Sequence, residues 1–96
     1  MNVRFTETAY ADLGAIHAFI ANENPVAATA VVNRIETTIR QLAQYPRIGP
    51  VKYRGDVRMF PVRRSPYLIF YTMAEDEVVI LTIRHSSRRP LSQRDF

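Results

Sequence analysis

Residues Arg58 to Arg88 read RMFPVRRSPYLIFYTMAEDEVVILTIRHSSR, and the rest of the chain takes its place around them. Pro66–Met73 is almost wholly apolar or aromatic, and Val78–Ile83 is β-branched and aliphatic. The acidic spacer Ala74-Glu75-Asp76-Glu77 lies between them. Two such runs joined by a short charged connection predict a β-hairpin. Tyr67, Ile69 and Tyr71 fall on one face of the first run, and Leu68 and Phe70 on the other. Both faces are apolar, so Tyr67–Met73 is expected to be a central strand, at least partly covered on each side. The hairpin leads directly into Arg84-His85-Ser86-Ser87-Arg88-Arg89, which places a basic end of the sheet before a partner.

Upstream, Val57–Arg63 reads as the preceding strand. Pro61 has no N–H for a ladder, so this strand is expected at an edge or with a bulge. Arg64-Ser65-Pro66 turns it into the hairpin, and Pro46–Asp56, with two prolines and two glycines, reads as a basic loop. Before that loop the periodicity is helical. Ala9, Leu13, Ile16 and Ile20 form one stripe, which Phe19 is expected to widen and which Asp12 and His17 border. Thr6 is its N-cap, and Glu7 favours the positive end of the helix. Asn24-Pro25 starts a second helix with the stripe Ala28, Val31, Val32, Ile35, Ile39 and Leu42. Arg34, Glu36, Arg40 and Gln44 face away, and Pro46 ends the helix. Val3 and Phe5 mark a short strand near a sheet edge, and Leu91–Phe96 reads as a loose tail. The expected class is therefore α+β: an N-terminal helical hairpin packed on an antiparallel sheet, built from the N-terminal strand and a three-stranded meander. Residues 1–96 are expected to form a single domain.

Composition narrows the function. The chain has no cysteine, which removes disulfides and thiolate metal sites and suits a reducing cytoplasm. The opening Asn2-Val3-Arg4-Phe5 does not read as a signal peptide, and no apolar run approaches the ~18 residues of a membrane span. The net charge of +4 is uneven: residues 1–45 sum to −1 and residues 46–96 to +5. Twelve of the 13 basic residues are arginine, whose planar fork suits carboxylate and phosphate. The second half thus favours an anionic partner, either nucleic acid or an acidic protein segment, against the plainer reading of a solvated basic surface.

Four stretches resemble the RelE/ParE superfamily of type II toxin–antitoxin toxins. They are Ala9-x-x-Asp12-Leu13-x-x-Ile16-x-x-Phe19-Ile20; Leu42-x-x-x-Pro46-x-x-Gly49; Arg58 followed by Pro66-Tyr67-x-Ile69-x-Tyr71; and Val79-Ile80-Leu81-x-Ile83-x-His85-x-x-Arg88. The likeness spans residues 3–89. It implies a small toxin neutralised by a cognate antitoxin, whose C-terminal segment wraps the toxin in a hetero-oligomer. An edge strand and an arginine-rich face suit such an acidic, amphipathic segment.

The superfamily holds two chemistries. RelE-like members look like ribosome-dependent mRNA endonucleases, and ParE-like members poison DNA gyrase. A nuclease needs proton transfer and positive charge at the phosphate. Lys52, Arg54, Arg58, Arg84, His85 and Arg88 are the residues offered for that work, with Arg63 and Arg64 as further cations. The tyrosine that RelE-like relatives often carry after the last strand is replaced here by Ser86 and Ser87, and residues 46–55 contain no acid. The ParE-like reading, which needs no proton-transfer pair, is favoured; mRNA cleavage and a plain nucleic-acid-binding module are the alternatives. Arg58, Arg63, Arg64, Arg84, His85, Arg88 and Arg89 are the expected contacts to target or antitoxin. No cofactor or metal is expected, because the two histidines have no ligand spacing.

Each candidate also has a plainer role. His85 at a strand end suits a local hydrogen bond. Tyr67 and Tyr71 suit the core, and Glu75-Asp76-Glu77 suits a solvated tip. Arg58, lying among apolar strand residues, needs a partner: Asp56, an antitoxin carboxylate, or a functional surface. Ser86 and Ser87 lack the base and acid of a hydrolase triad.

Overall fold

Thr6 begins the build. In the computed structural model, which describes all of residues 1–96, its hydroxyl accepts the Ala9 N–H at 3.0 Å and donates to the Leu81 carbonyl at 2.8 Å. One side chain thus caps a helix, worth about 1 kcal/mol, and fastens its start to a distant strand. The capped helix is α1 (Glu7–Ala21), which follows β1 (Asn2–Phe5). Asn24 accepts the Ala27 N–H at 3.0 Å, and Pro25 opens α2 (Pro25–Gln44). The hairpin boundaries fall where the cap signals put them. The stripe residues Ala9, Ile16, Ala28, Ile35, Ile39 and Leu42 are buried.

Five strands follow the order β1-β5-β4-β3-β2. β2 is Val51–Tyr53, β3 Val57–Pro61, β4 Tyr67–Ala74 and β5 Glu77–His85. β4 is central, as its two-sided apolar pattern requires. Tyr67, Ile69 and Tyr71 join Val78, Ile80 and Ile83 under the helices, while Phe70 is buried on the other face. The hairpin turn is the two-residue Glu75-Asp76, with Ala74 opposite Glu77. Asp12, beside the α1 stripe, accepts Thr82 Oγ1 at 2.5 Å and the Ile83 N–H at 3.0 Å. That locks α1 to β5 just after the register shift in the β4–β5 ladder.

The structure departs from expectation in five places. The sheet is mixed, because β1 pairs with β5 in parallel. Residues 51–53, read as loop, form the edge strand β2. These two differences are one. An additional reversal of the chain between the helices and the meander inverts the direction in which β5 arrives beside β1. Third, β3 stops at Pro61 and lies one strand in from the edge. Its outer neighbour pairs only as far as Arg58, so Pro61 sits where no donor is needed. Fourth, Phe19 does not widen the core: it is 79% exposed on the flank of α1. Fifth, the segment after β5 is not loose. It crosses the outer face of the sheet, where Tyr53 donates to Leu91 O at 2.8 Å, and it ends in a single 3-10 turn at Gln93–Asp95.

Candidate functional site

Most cations of the second half line one of three grooves, two of which adjoin. Lys52, Arg84, His85, Arg88 and Arg89 surround one groove of about 260 Å³ on the outer face, floored by Tyr53 and Phe70. Arg54 and Arg84 line the adjoining cleft beneath Gln93 and Phe96. Arg63 and Arg64 stand apart with Arg34, on the helical side of the β3–β4 turn. Arg58 belongs to none of these.

Strand alternation explains the outer-face cluster. Leu68, Phe70 and Arg84 point away from the helices, and pairing sets Arg84 opposite Leu68 and His85 opposite Tyr67. The segment after β5 then folds over this face. Phe96 packs on Tyr53 at 4.8 Å between ring centroids and on Phe70 at 6.0 Å. Arg54 N–H donates to Gln93 Oε1 at 2.9 Å, and Arg84 Nη2 donates to Arg89 O at 3.2 Å. Asp95 accepts the Ser92 N–H at 2.8 Å and pairs with Arg89 at 3.5 Å. The Ser92 bond first, then Arg89, hold its carboxyl below the ordinary aspartate range.

His85 is tied into the turn that leaves β5. Its Nδ1 accepts the Ser87 N–H at 3.0 Å and lies 2.7 Å from the Ser87 hydroxyl. With Nδ1 accepting, the neutral ring carries its proton on Nε2. Tyr67 meets the ring edge-on at 5.4 Å.

Arg58 has a different occupation. Its Nη1 donates to Gly49 O at 2.8 Å and to Arg47 O at 3.3 Å, and its Nε is buried without a partner. Asp56 is not its counter-ion; loop carbonyls meet the guanidinium instead. The same loop is held by Tyr71, whose hydroxyl donates to Pro46 O at 2.8 Å and accepts the Gly49 N–H at 2.9 Å. A Cβ at Gly49 would lie 2.7 Å from that hydroxyl and 2.8 Å from Met59 O, so only glycine fits. Burial pushes the Tyr71 phenol above its ordinary 10.0, against the opposing pull of the Gly49 N–H and the Arg58 charge. Pro46-x-x-Gly49 and the Arg58…Tyr71 pattern are thus two halves of one knot that closes the α2 end onto the sheet.

A further groove, of about 450 Å³, opens between α1 and the far half of β5, lined by Ile16, Phe19, Tyr67, Ile83, His85 and Arg88. β1 ends opposite Ile80, so beyond that point β5 has no strand on its outer side. Thr6 and Asp12 side chains satisfy Leu81 O and the Ile83 N–H there. Sequence reasoning assigned Phe19 to the core. The signal against this was its position, off the four-three-four spacing of the stripe. Tyr53, Arg34 and Phe96 were also passed over as site residues, and only the fold reveals their neighbours.

A small helical hairpin on a five-stranded sheet, with arginine-rich grooves on two faces, is an architecture shared with solved toxin–antitoxin systems. The profile of the "ParE toxin of type II toxin-antitoxin system, parDE" matches residues 3–90, and the chain belongs to that family. It is 36% identical over 86 residues to Toxin RelE2 of Caulobacter vibrioides, covering 90% of this chain and 96% of the relative. It is also 36% identical over 87 residues to the protein Y4kP of Sinorhizobium fredii, covering 91% and 90% respectively. Among solved structures it is similar to the chromosomal ParDE system of P. aeruginosa (TM-score 0.78, 25% identity, 88% of this chain and 95% of that one). The E. coli RelBE complex shares the fold, with TM-score 0.67 at 19% identity over 91% of this chain and 98% of that one.

Proposed function

We propose that this toxin acts in the cytoplasm as a ParE-like inhibitor of DNA gyrase, and that a cognate antitoxin silences it. The observation that carries the choice of target is the employment of His85. Its Nδ1 is committed to Ser87 backbone and hydroxyl, so the clearest candidate for proton transfer serves as a turn lock through that nitrogen and keeps only Nε2 for any other role. The family profile and the ParDE structure add support. The antitoxin occupies the groove between α1 and β5, where Phe19 offers an apolar anchor and Arg88 meets a carboxylate.

The test is to express the chain with and without its partner, assay supercoiling by purified gyrase, and map mRNA ends. Lost supercoiling with intact transcripts is expected. Codon-positioned cleavage with normal supercoiling would instead support ribosome-dependent mRNA cleavage. That second reading is favoured by the gathering of Lys52, Arg84, His85 and Arg88 over Tyr53 and Phe70, where stacking and phosphate contact coincide. For the groove, Phe19→Ala and Arg88→Ala should each weaken antitoxin binding about tenfold with the fold intact, in line with loss of a buried anchor or charged contact. Unchanged affinity in both variants would move the docking site elsewhere.

A further inference from the structure

The cleft between α2 and the β3–β4 turn has no part in either reading. It measures about 470 Å³ and is lined by Asn33, Arg34, Thr37, Thr38 and Gln41 of α2 with Arg63 and Arg64 of the turn. Every lining residue is polar, three are arginine and none is acidic. The two ion pairs of the molecule, Arg4–Glu77 and Arg89–Asp95, lie elsewhere, so three guanidiniums line one cleft with no salt bridge among them. Arg40 stands next to them, donating to the Thr37 hydroxyl at 3.1 Å.

The turn that presents two of these arginines is pinned at both ends. Val62 is buried and its N–H donates to Tyr67 O at 2.9 Å, while Ser65 Oγ accepts the Tyr67 N–H at 3.3 Å. Between these ties Arg64 has φ 58°, a left-handed conformation that glycine adopts without cost and arginine does not. The chain thus holds like charges together and bends its backbone to do so. Both features oppose folding, and an anion entering the cleft offsets the like-charge repulsion.

We propose that this cleft binds the phosphodiester backbone of nucleic acid. A protein segment is the poorer fit, because docked segments anchor through apolar side chains and this cleft offers none. Phosphates require only charge and hydrogen-bond donors, which guanidinium, amide and hydroxyl groups supply here. The site lies away from the outer-face groove and does not depend on which target the toxin inhibits.

The test uses the full chain and a labelled short duplex DNA, with fluorescence anisotropy measured across a salt series. Arg34→Ala combined with Arg63→Ala should weaken binding about tenfold or more at low salt and reduce the salt slope by about 1–2. Both residues are exposed, so the fold is retained. Arg64→Gly should weaken binding several-fold while Tm holds or rises, because glycine accepts the φ of 58°. Amide shifts on adding DNA should centre on residues 33–41 and 63–65. Unchanged affinity and slope in the double variant would overturn the proposal. So would loss of DNA binding only in Arg88→Ala, or competition by polyglutamate at matched charge concentration, which would point to a protein partner.

Discussion

Two parts of this molecule use arginine and tyrosine in opposite ways. In the knot at the end of α2, Arg58 and Tyr71 turn inward and spend their polar atoms on Pro46, Arg47 and Gly49. On the outer face, Lys52, Tyr53, Arg84 and Arg88 turn outward, with only the segment after β5 across them. The first set is fixed in spacing because each member fits one atom of another. The second set needs only to share a face. The Pro46-x-x-Gly49 and Arg58…Tyr71 stretches therefore have a spelling because they hold the chain together, whereas the outer-face cations share a face without a fixed spacing.

That contrast can be broken most severely at Gly49. Gly49→Ala should cost about 3 kcal/mol in chemical denaturation, since the new methyl drives into Tyr71 and the Met59 carbonyl, combining overpacking with damaged hydrogen bonds. A loss under about 1 kcal/mol would mean that the knot is slack. Tyr71→Phe should cost about 2 kcal/mol, because the Pro46 carbonyl and Gly49 N–H are left without their partner. The wild-type protein should also lose stability as pH rises. The folded Tyr71 phenol ionises above the ordinary 10.0, so the unfolded chain gives up its proton first. The contribution is whole below pH 10.0 and drains away between there and the folded value, and Tyr71→Phe should flatten that decline. On the outer face the effects shrink. Phe96→Ala should cost below about 1 kcal/mol, as expected for a partly exposed ring, yet shift the Tyr53 ring resonances as the covering segment loosens. Acid should loosen it too: Asp95 is held as the carboxylate, and its contacts fade as pH falls through its depressed folded pKa. Arg88→Ala should change stability by no more than about 0.5 kcal/mol, which sharpens the contrast if antitoxin binding falls at the same time.

Much of the fold was legible because its signals are local. Thr6, Asn24 and Pro25 mark helix ends by cap chemistry, and Tyr67–Met73 declares a doubly covered strand by having no polar face. β2 was not legible as a strand. Three residues are too few for alternation to register, although the Gly55-Asp56 pair between Tyr53 and Val57 is a turn signal, and both residues take positive φ. The parallel placement of β1 depended on that missed reversal. For the site, the sequence named the cations but could not sort them. Arg58 and Arg88 look alike in a string, and only strand direction and the position of the α2–β2 loop set one against carbonyls and the other toward solvent.

The parallel pairing of β1 with β5 also governs how the molecule is made. Phe5 meets Ile80 at a separation of 75 positions, and Thr6 binds the Leu81 carbonyl over the same span. During synthesis the two helices leave the ribosome long before the strands that cover their apolar stripes. The nascent protein therefore passes through an interval with greasy helices on display, and the pairing of the earliest strand with the latest has one of the longest loops to close. Any chaperone or partner that shields newborn chains of this kind has that interval in which to act.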